Sequence, residues 1–225
     1  MIPLRDTIPS RRPPLMTIGL IIACTLAFLY SVTLSPVAAK RLFLAYGLVP
    51  ARVLRLDFTG GMPFISFFSS MFLHGNWGHL ISNMWALWLF GDNIEDRMGS
   101  FRFLLFYFAG GVAAGLVHVL TNPFETTPAI GASGAVAGVM GAYFLLYPTA
   151  RIVTLVPVFF VPFFIHIPAF FYLGGWFLMQ LIQGTAAFLG VGSAGGIAWW
   201  AHIGGFVAGI FMVRRFLLRT RRYYW

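Results

Sequence analysis

The chain has 225 residues, of which 59% are hydrophobic and only 9% are charged, and its net charge is +9. Soluble domains carry roughly 25% charged residues, so this composition excludes an ordinary water-soluble enzyme, a disordered chain and a disulfide-stabilised domain. An integral membrane protein remains, and at about 20 residues per helical span the length allows about six or seven spans with no sizeable extramembrane domain.

The N-terminal quarter predicts a tail, a span and an interfacial segment. Residues 1–14 are polar and end in two prolines, which predicts a short tail. Residues 15–34 predict a first span that is retained, because no small-residue cleavage site follows them. Residues 35–61 mix apolar with charged residues, as in an element that lies in the membrane interface.

Five further apolar stretches predict five more helical spans, so that we expect an all-α membrane protein with one domain over 1–225 and a six-helix core over 15–213. These spans are expected at about 76–91, 103–120, 132–147, 169–183 and 197–212. Residues 152–168 are apolar but contain three prolines, which predicts a partly irregular segment shielded by neighbouring helices. Residues 214–225 predict a basic tail.

Six spans place both termini on one side of the membrane. The N-terminus, the C-terminal tail and the loops of that side hold 11 of the 15 basic residues, and Lys40, Arg41, Arg52 and Arg55 fall on the other side. This asymmetry predicts that both termini are cytoplasmic. The basic ends are typical of contact with anionic lipid head groups, so we do not expect nucleic-acid binding.

Polar residues inside spans are costly and tend to be functional. His79 and Asn83 in the second span, Ser133 in the fourth and His202 in the sixth all fall near the outer ends of their helices. His79 and Asn83 are four residues apart and therefore share a helix face. These four side chains are thus predicted to lie at a similar depth.

Ser133 and His202 predict nucleophilic chemistry. Glycine and alanine surround both residues, so their helices can approach closely. A serine beside a histidine base is the arrangement that makes a hydroxyl nucleophilic. Because no acid falls inside a span, a Ser–His dyad is favoured over a triad. His79, Asn83 and the Ser133 amide would then stabilise an oxyanion.

Each of these features also has a structural interpretation. Small residues around a serine, and Gly205 with Gly209, are first of all helix-packing motifs. Histidines in spans commonly bond to neighbouring groups, which is our expectation for His118 and His166. The spacing of His74 and His79, without nearby carboxylates, argues against a metal site. The single cysteine is expected to be a packed core thiol.

Together the motifs resemble those of the rhomboid intramembrane serine proteases. They are the sequences around His74 and His79 with Asn83, the loop at 95–100, Gly131-Ala132-Ser133-Gly134, and Ala201-His202-Ile203-Gly204-Gly205 with Gly209. The resemblance implies a six-helix core whose active site opens to the extracytoplasmic side of the cell membrane. It implies substrates that are membrane-spanning helices of other proteins, and it implies no cofactor.

The resemblance also implies roles for individual residues. Ser133 matches the nucleophile, His202 the base, and His79 and Asn83 the oxyanion donors, while His74, Gly131, Gly205 and Gly209 match structural positions near the site. The segment from about residue 169 matches the mobile fifth helix. Some family members carry a tyrosine where this chain has Ala137, so an aromatic neighbour elsewhere is a candidate to hold His202. Catalytically silent chaperones of the same family are the alternative, although these have lost the nucleophile or the base.

Overall fold

The computed structural model of the chain describes residues 1–159, 161–190 and 197–218. The described residues form nine α-helices, a short 3-10 turn at Ser70–Phe72 and three strands. The helices are α1 (Leu15–Thr33), α2 (Pro36–Tyr46), α3 (Pro50–Arg55), α4 (Ser66–Ser69), α5 (Trp77–Met98), α6 (Ser100–Thr121), α7 (Ser133–Leu146), α8 (Ala169–Phe188) and α9 (Trp199–Phe216). The strands are β1 (Ile2–Arg5), β2 (Arg151–Val158) and β3 (Val161–Pro168).

All six stretches predicted as spans contain a helix, namely α1 and α5 to α9. Among the described residues, α1 and α6 are both long enough and apolar enough to cross a membrane, whereas α7 is a shorter apolar helix. The last two turns of α5 carry charged side chains, which lowers its hydropathy. These residues are Asp92, Glu95, Asp96 and Arg97.

Buried Glu95 joins the end of α5 to the start of α1. Its carboxylate accepts hydrogen bonds from the amides of Met16 (2.9 Å) and Thr17 (2.8 Å) and from the hydroxyls of Thr17 (2.9 Å) and Ser100 (2.6 Å). The first amides of a helix have no partner within the helix, and the helix dipole favours a negative charge at that point. The predicted loop at 95–100 is instead the end of α5, Gly99 and the start of α6, and Glu95 joins these two helices to α1.

Glycines bring α7 and α9 into backbone contact. A Cβ atom on Gly205 would lie 2.0 Å from the carbonyl oxygen of Gly134, and one on Gly209 would lie 2.0 Å from that of Gly138. One on Gly141 would lie 2.1 Å from the Phe206 oxygen. No larger side chain fits at these positions, so the small-residue pattern sets the distance between the two helices.

The prediction of an all-α protein is wrong in one respect, because the mostly helical chain also contains a three-stranded antiparallel sheet in the order β1-β2-β3. Residues 152–168, predicted to be irregular and shielded, form the β2–β3 hairpin, and β3 is exposed over residues 161–166. The prolines were misleading, since two of them pair with each other across the hairpin, Pro157 with Pro162. The first five residues are not a free tail but include the strand that pairs with β2.

Side-chain contacts hold the N-terminal segment against the helices. The Oδ2 of Asp6 accepts hydrogen bonds from the Tyr143 hydroxyl on α7 and from the Nδ2 of Asn93 on α5, the latter at 3.0 Å. The indole N–H of Trp85 donates to the carbonyl of Pro3 (2.6 Å). The N-terminus therefore lies at the end of the bundle that holds the α5–α6 turn and the sheet.

The end of α9 is at that same end of the bundle, because the Leu218 amide donates to the Arg97 carbonyl (3.0 Å). At the opposite end, Leu48 pairs with Ala129, and the Ala51 amide donates to the Glu125 carbonyl (3.0 Å). The two ends are called the N-terminal end and the opposite end below. Most of the predicted basic tail, at 219–225, lies outside the described residues.

Candidate active site

Ser133 and His202 meet at the opposite end of the bundle. Ser133 is the first residue of α7, and His202 lies in the first turn of α9, one turn before Gly205. The close contact of α7 and α9 places the Ser133 Oγ 2.8 Å from the Nε2 of His202. Residues 69 positions apart in the sequence thus form the pair predicted from their depth.

Gln180 on α8 is the second partner of the histidine ring. Its Oε1 lies 2.8 Å from the Nδ1 of His202, and its Nε2 donates to the Trp176 carbonyl at 3.3 Å. An amide oxygen only accepts hydrogen bonds, so the Nδ1 of His202 carries the proton. Nε2 is then free to accept the hydrogen bond that the Ser133 hydroxyl donates, which is the tautomer that a general base needs.

Two tryptophans flank the same ring. The Trp176 ring lies 6.0 Å from the His202 ring at an interplanar angle of 34°, and the Trp199 ring lies 6.3 Å away, nearly perpendicular. Ala137, which stands where some family members have a tyrosine, is fully buried. Aromatic side chains of α8 and α9, together with Gln180, therefore hold the histidine.

His79 and Asn83 face the backbone just before Ser133. Gly131 has a φ of +125°, and a Cβ atom at this position would lie 2.5 Å from the His79 Nε2 and 3.6 Å from the Asn83 Nδ2. Only glycine permits this close approach. Asn83 is 6% exposed, and within the described part of the chain its Nδ2 has no hydrogen-bond partner. A buried donor without a partner is costly and is commonly explained by a function.

The other histidines lie in different surroundings. His74 is buried, its Nδ1 lies 3.3 Å from the Phe72 carbonyl, and its ring contacts that of His79 edge-on at 5.1 Å. His118 is paired with the amide of Asn122 (3.2 Å), in agreement with a structural role. His166 was expected to bond to neighbouring groups in a shielded segment, but it lies on the exposed part of strand β3.

A cavity of about 50 Å³ opens beside Ser133. Nine of its sixteen lining residues are glycine or alanine, and the larger ones are Leu48, Phe67, Met71, His118 and Ile130. A cavity of this volume has room for a few water molecules or for one small side chain.

Gln180 is the residue at this site that the sequence analysis did not identify. The signal was present, because Gln180 and Gln183 are polar residues in a largely apolar predicted span, which is the criterion that singled out Asn83. The spacing of four between Trp176 and Gln180 also places both on one helix face, toward His202.

Comparison with known proteins finds several relatives. A chloroplastic rhomboid-like protein 11 from Arabidopsis thaliana is 43% identical over 72 residues, which are 32% of this chain and 25% of that protein. The rhomboid protease GluP from Bacillus subtilis is 43% identical over 75 residues, or 33% of this chain and 14% of that protein.

A longer match is the human presenilin-associated rhomboid-like protein of mitochondria, 29% identical over 154 residues, or 64% of this chain and 36% of that protein. The chain spans less than half the length of each of these relatives. The family model described as the rhomboid domain matches residues 62–219, which include every site residue described above, and the chain therefore belongs to the rhomboid family.

Proposed function

We propose that this protein is an intramembrane serine protease that cleaves membrane-spanning segments of other proteins with a Ser133–His202 dyad. The observation that carries the proposal is the 2.8 Å contact between the Ser133 Oγ and the His202 Nε2. The name of one relative, a rhomboid protease, agrees with it. The members of the family are membrane proteins, which supports a membrane-spanning segment as the substrate.

In the first step the Ser133 Oγ attacks the carbonyl carbon of the scissile peptide, and His202 accepts the hydroxyl proton at Nε2. Negative charge develops on the carbonyl oxygen. Asn83 Nδ2, His79 protonated at Nε2 and the Ser133 amide, which is free at the start of α7, are the donors to this charge. His202 then gives its proton to the leaving amine, the C–N bond breaks, and an acyl ester on Ser133 remains.

Hydrolysis of this ester needs water, which lipid does not supply. His202 removes a proton from a water molecule, whose oxygen attacks the ester carbon. Collapse of the second tetrahedral intermediate returns the proton to the Ser133 Oγ and releases the carboxylic acid. The cavity beside Ser133 and its position at one end of the bundle support entry of water from that side.

The proposed location is the cell membrane, crossed six times, with both termini in the cytoplasm and Ser133 toward the extracytoplasmic side. The charge asymmetry of the two ends supports this orientation. Because the cavity beside Ser133 has a volume of only about 50 Å³, we expect the substrate residue that binds there to have a small side chain.

Labelling with a serine-reactive phosphonate tests the dyad. We expect the wild type to be labelled and to cut a single-span substrate in vesicles at one site, located by mass spectrometry. Ser133→Ala and His202→Ala abolish both reactions. Ser31→Ala is the control, since the Ser31 hydroxyl bonds to the Phe28 carbonyl within α1, and it leaves both unchanged.

The alternative is a catalytically silent binding protein of the same family. It predicts a wild type that binds the single-span substrate without cleaving it and without reacting with the phosphonate. Labelling that persists in both Ser133→Ala and His202→Ala would exclude this dyad as the reactive site.

A further inference from the structure

The β2–β3 hairpin is apolar and exposed at the N-terminal end of the bundle. Residues 152–168 contain no Asp, Glu, Lys or Arg. Phe159 in the turn is 93% exposed, and Phe163 and Phe164 on β3 are 51% and 58% exposed. A patch of this kind on a folded protein marks contact with a membrane or with another protein.

Both faces of the outer strand carry an exposed phenylalanine, and His166 is the one polar side chain of this strand. Successive side chains of a strand point to opposite faces, so Phe163 and Phe164 lie on different faces of β3, and both are exposed. A strand that covers a protein core has one apolar face and one polar face. Because apolar side chains are exposed on both faces, we infer that an apolar medium such as lipid contacts the strand from both sides.

The half of the hairpin farther from its turn, called the lower half below, is fixed to the protein. Ile152 and Thr154 are fully buried, and β1 covers the other edge of β2. Two exposed arginines, Arg5 on β1 and Arg151 at the start of β2, lie in this lower half. In a leaflet, these arginines would lie at the anionic head groups and the apolar tip would lie nearer the acyl chains.

The apolar surface also continues into the next helix. β3 ends at Pro168 and α8 begins at Ala169 without a linker. Phe170 and Phe171 in the first turn of α8 are 50% and 68% exposed. Exposed apolar side chains thus run from the tip of the hairpin along β3 into a helix of the bundle.

The edge of β3 argues against a protein strand as its partner. In an antiparallel ladder, hydrogen-bonded and non-bonded pairs alternate. Pro157 pairs with Pro162, and neither residue has an amide hydrogen, so this pair belongs to the non-bonded class. Every second pair along the ladder from this one belongs to the same class. The backbone groups of residues 162, 164, 166 and 168 therefore point away from β2, and two of these residues are prolines, which have no N–H donor. Proline on an edge strand blocks addition of another strand.

The same edge limits the depth of the hairpin. Among the described residues β3 pairs only with β2, so the amides of Phe164 and His166 and the outward carbonyls have no strand partner. Such groups are not tolerated in the hydrocarbon centre of a bilayer, but they are solvated at the head-group boundary. The hairpin therefore suits the interface and not a spanning position.

We propose that the β2–β3 hairpin is a membrane anchor whose apolar tip lies in the boundary between head groups and acyl chains of the leaflet at the N-terminal end. It anchors the start of α8, the helix that carries Gln180. The proposal requires a membrane protein but does not depend on the catalytic function proposed above.

Fluorescence quenching of the full chain in vesicles of zwitterionic and anionic phospholipid tests the anchor. An environment-sensitive dye is attached to Phe163→Cys and, separately, to Arg12→Cys, which is exposed at the same end. Both positions tolerate the change because their side chains are exposed, and unaltered unfolding midpoints check this. The unmutated chain is the blank, since Cys24 is fully buried.

We expect the dye at 163 to emit at shorter wavelength than the dye at 12 and to resist aqueous iodide. A nitroxide near the head-group end of the acyl chain should quench it roughly two-fold more than one near the methyl end, since interfacial elements lie about 5–10 Å deep. Equal access of iodide to both positions would overturn the proposal. Shielding at 163 that requires native membrane proteins, and is absent in pure lipid, would overturn it in favour of a protein partner.

Discussion

At the scale of single residues, Gln180 takes the place that a carboxylate has in a serine–histidine–aspartate triad. In such triads the carboxylate fixes the tautomer of the histidine and stabilises the imidazolium. A neutral amide does the first task at no cost of burying a charge in the membrane. A neutral side chain can thus fix the tautomer of His202 in the proposed dyad.

Gln180→Leu should lower kcat by roughly 10- to 100-fold, because His202 loses the acceptor that fixes its tautomer. KM should stay within about two-fold, since Gln180 acts through His202 and not on the substrate. Gln180→Glu keeps an acceptor and should restore much of kcat. Gln183→Leu, on the same helix, is the matched control, and an equal loss of kcat in both Leu variants would remove the positioning role.

Asn83→Ala should slow cleavage by roughly 10²-fold if its amide stabilises the oxyanion. The substitution should not lower the unfolding midpoint through a lost hydrogen bond, because within the described residues the Nδ2 of Asn83 has no partner to lose. Steady-state cleavage and thermal unfolding, measured on the same preparation, separate the two effects. A fall in the unfolding midpoint with unchanged turnover would make Asn83 a structural residue.

At the scale of elements, hydropathy and small-residue spacing were sufficient to predict the six long helices and the meeting of Ser133 with His202. The hairpin was not predictable in the same way. A continuous apolar run shows no period that separates a strand from a helix, and the pairing of Ile2 with Leu155 joins distant parts of the chain. Gln180 was not predicted for a different reason, because the resemblance implies only a mobile fifth helix there, and Gln183 in the same span gives the same polar signal.

Gly205→Ala should separate α7 from α9, since the added Cβ would lie 2.0 Å from the backbone oxygen of Gly134. Overpacking of this kind costs about 1–3 kcal/mol in unfolding free energy. Because His202 lies one turn away, the 2.8 Å contact with Ser133 should lengthen and phosphonate labelling should fall. Gly175→Ala on α8 is the control, with nothing within 4 Å of the new atom. Normal labelling of Gly205→Ala would contradict the link between packing and the dyad.

Asp6 should make the attachment of the N-terminal segment depend on pH. Burial raises the pKa of Asp6 from 3.8 to about 6; the hydrogen bond from Tyr143 opposes this rise and the nearby Asp92 carboxylate adds to it. The folded state therefore binds this proton more tightly than the unfolded state does. The stabilisation that results is fully present below pH 3.8 and is lost as the pH rises through about 6.

The comparison that isolates this effect is Asp6→Asn. The donors from Tyr143 and Asn93 both reach Oδ2, so an amide oxygen can accept from both. We expect the unfolding midpoint of the wild type to fall relative to that of Asp6→Asn between pH 4 and pH 7. Parallel curves for the two proteins over this range would show that the Asp6 carboxyl does not titrate there.

At the scale of the whole molecule, the two ends of the bundle differ in charge. The N-terminal end carries the arginines of the N-terminal segment, the α5–α6 turn and the end of α9. Four basic residues lie toward the opposite end, and one of them is engaged within the fold, since the Arg52 guanidinium donates to the carbonyls of Leu44 and Gly60. These hydrogen bonds fix the position of Arg52 without removing its charge, so the orientation rests on the larger number of basic residues at the N-terminal end.

This difference predicts that the N-terminal end faces the cytoplasm and that the Ser133 end faces outward. In sealed vesicles of known orientation, a membrane-impermeant maleimide should label Arg12→Cys and Arg97→Cys from the cytoplasmic side only. Thr59→Cys and Thr126→Cys, which are exposed near the opposite end, should react from the other side only. Labelling of all four from one face would refute the six-span arrangement. A clean reversal would keep the spans but place the active site in the cytoplasm, where water would reach Ser133 from the inner side.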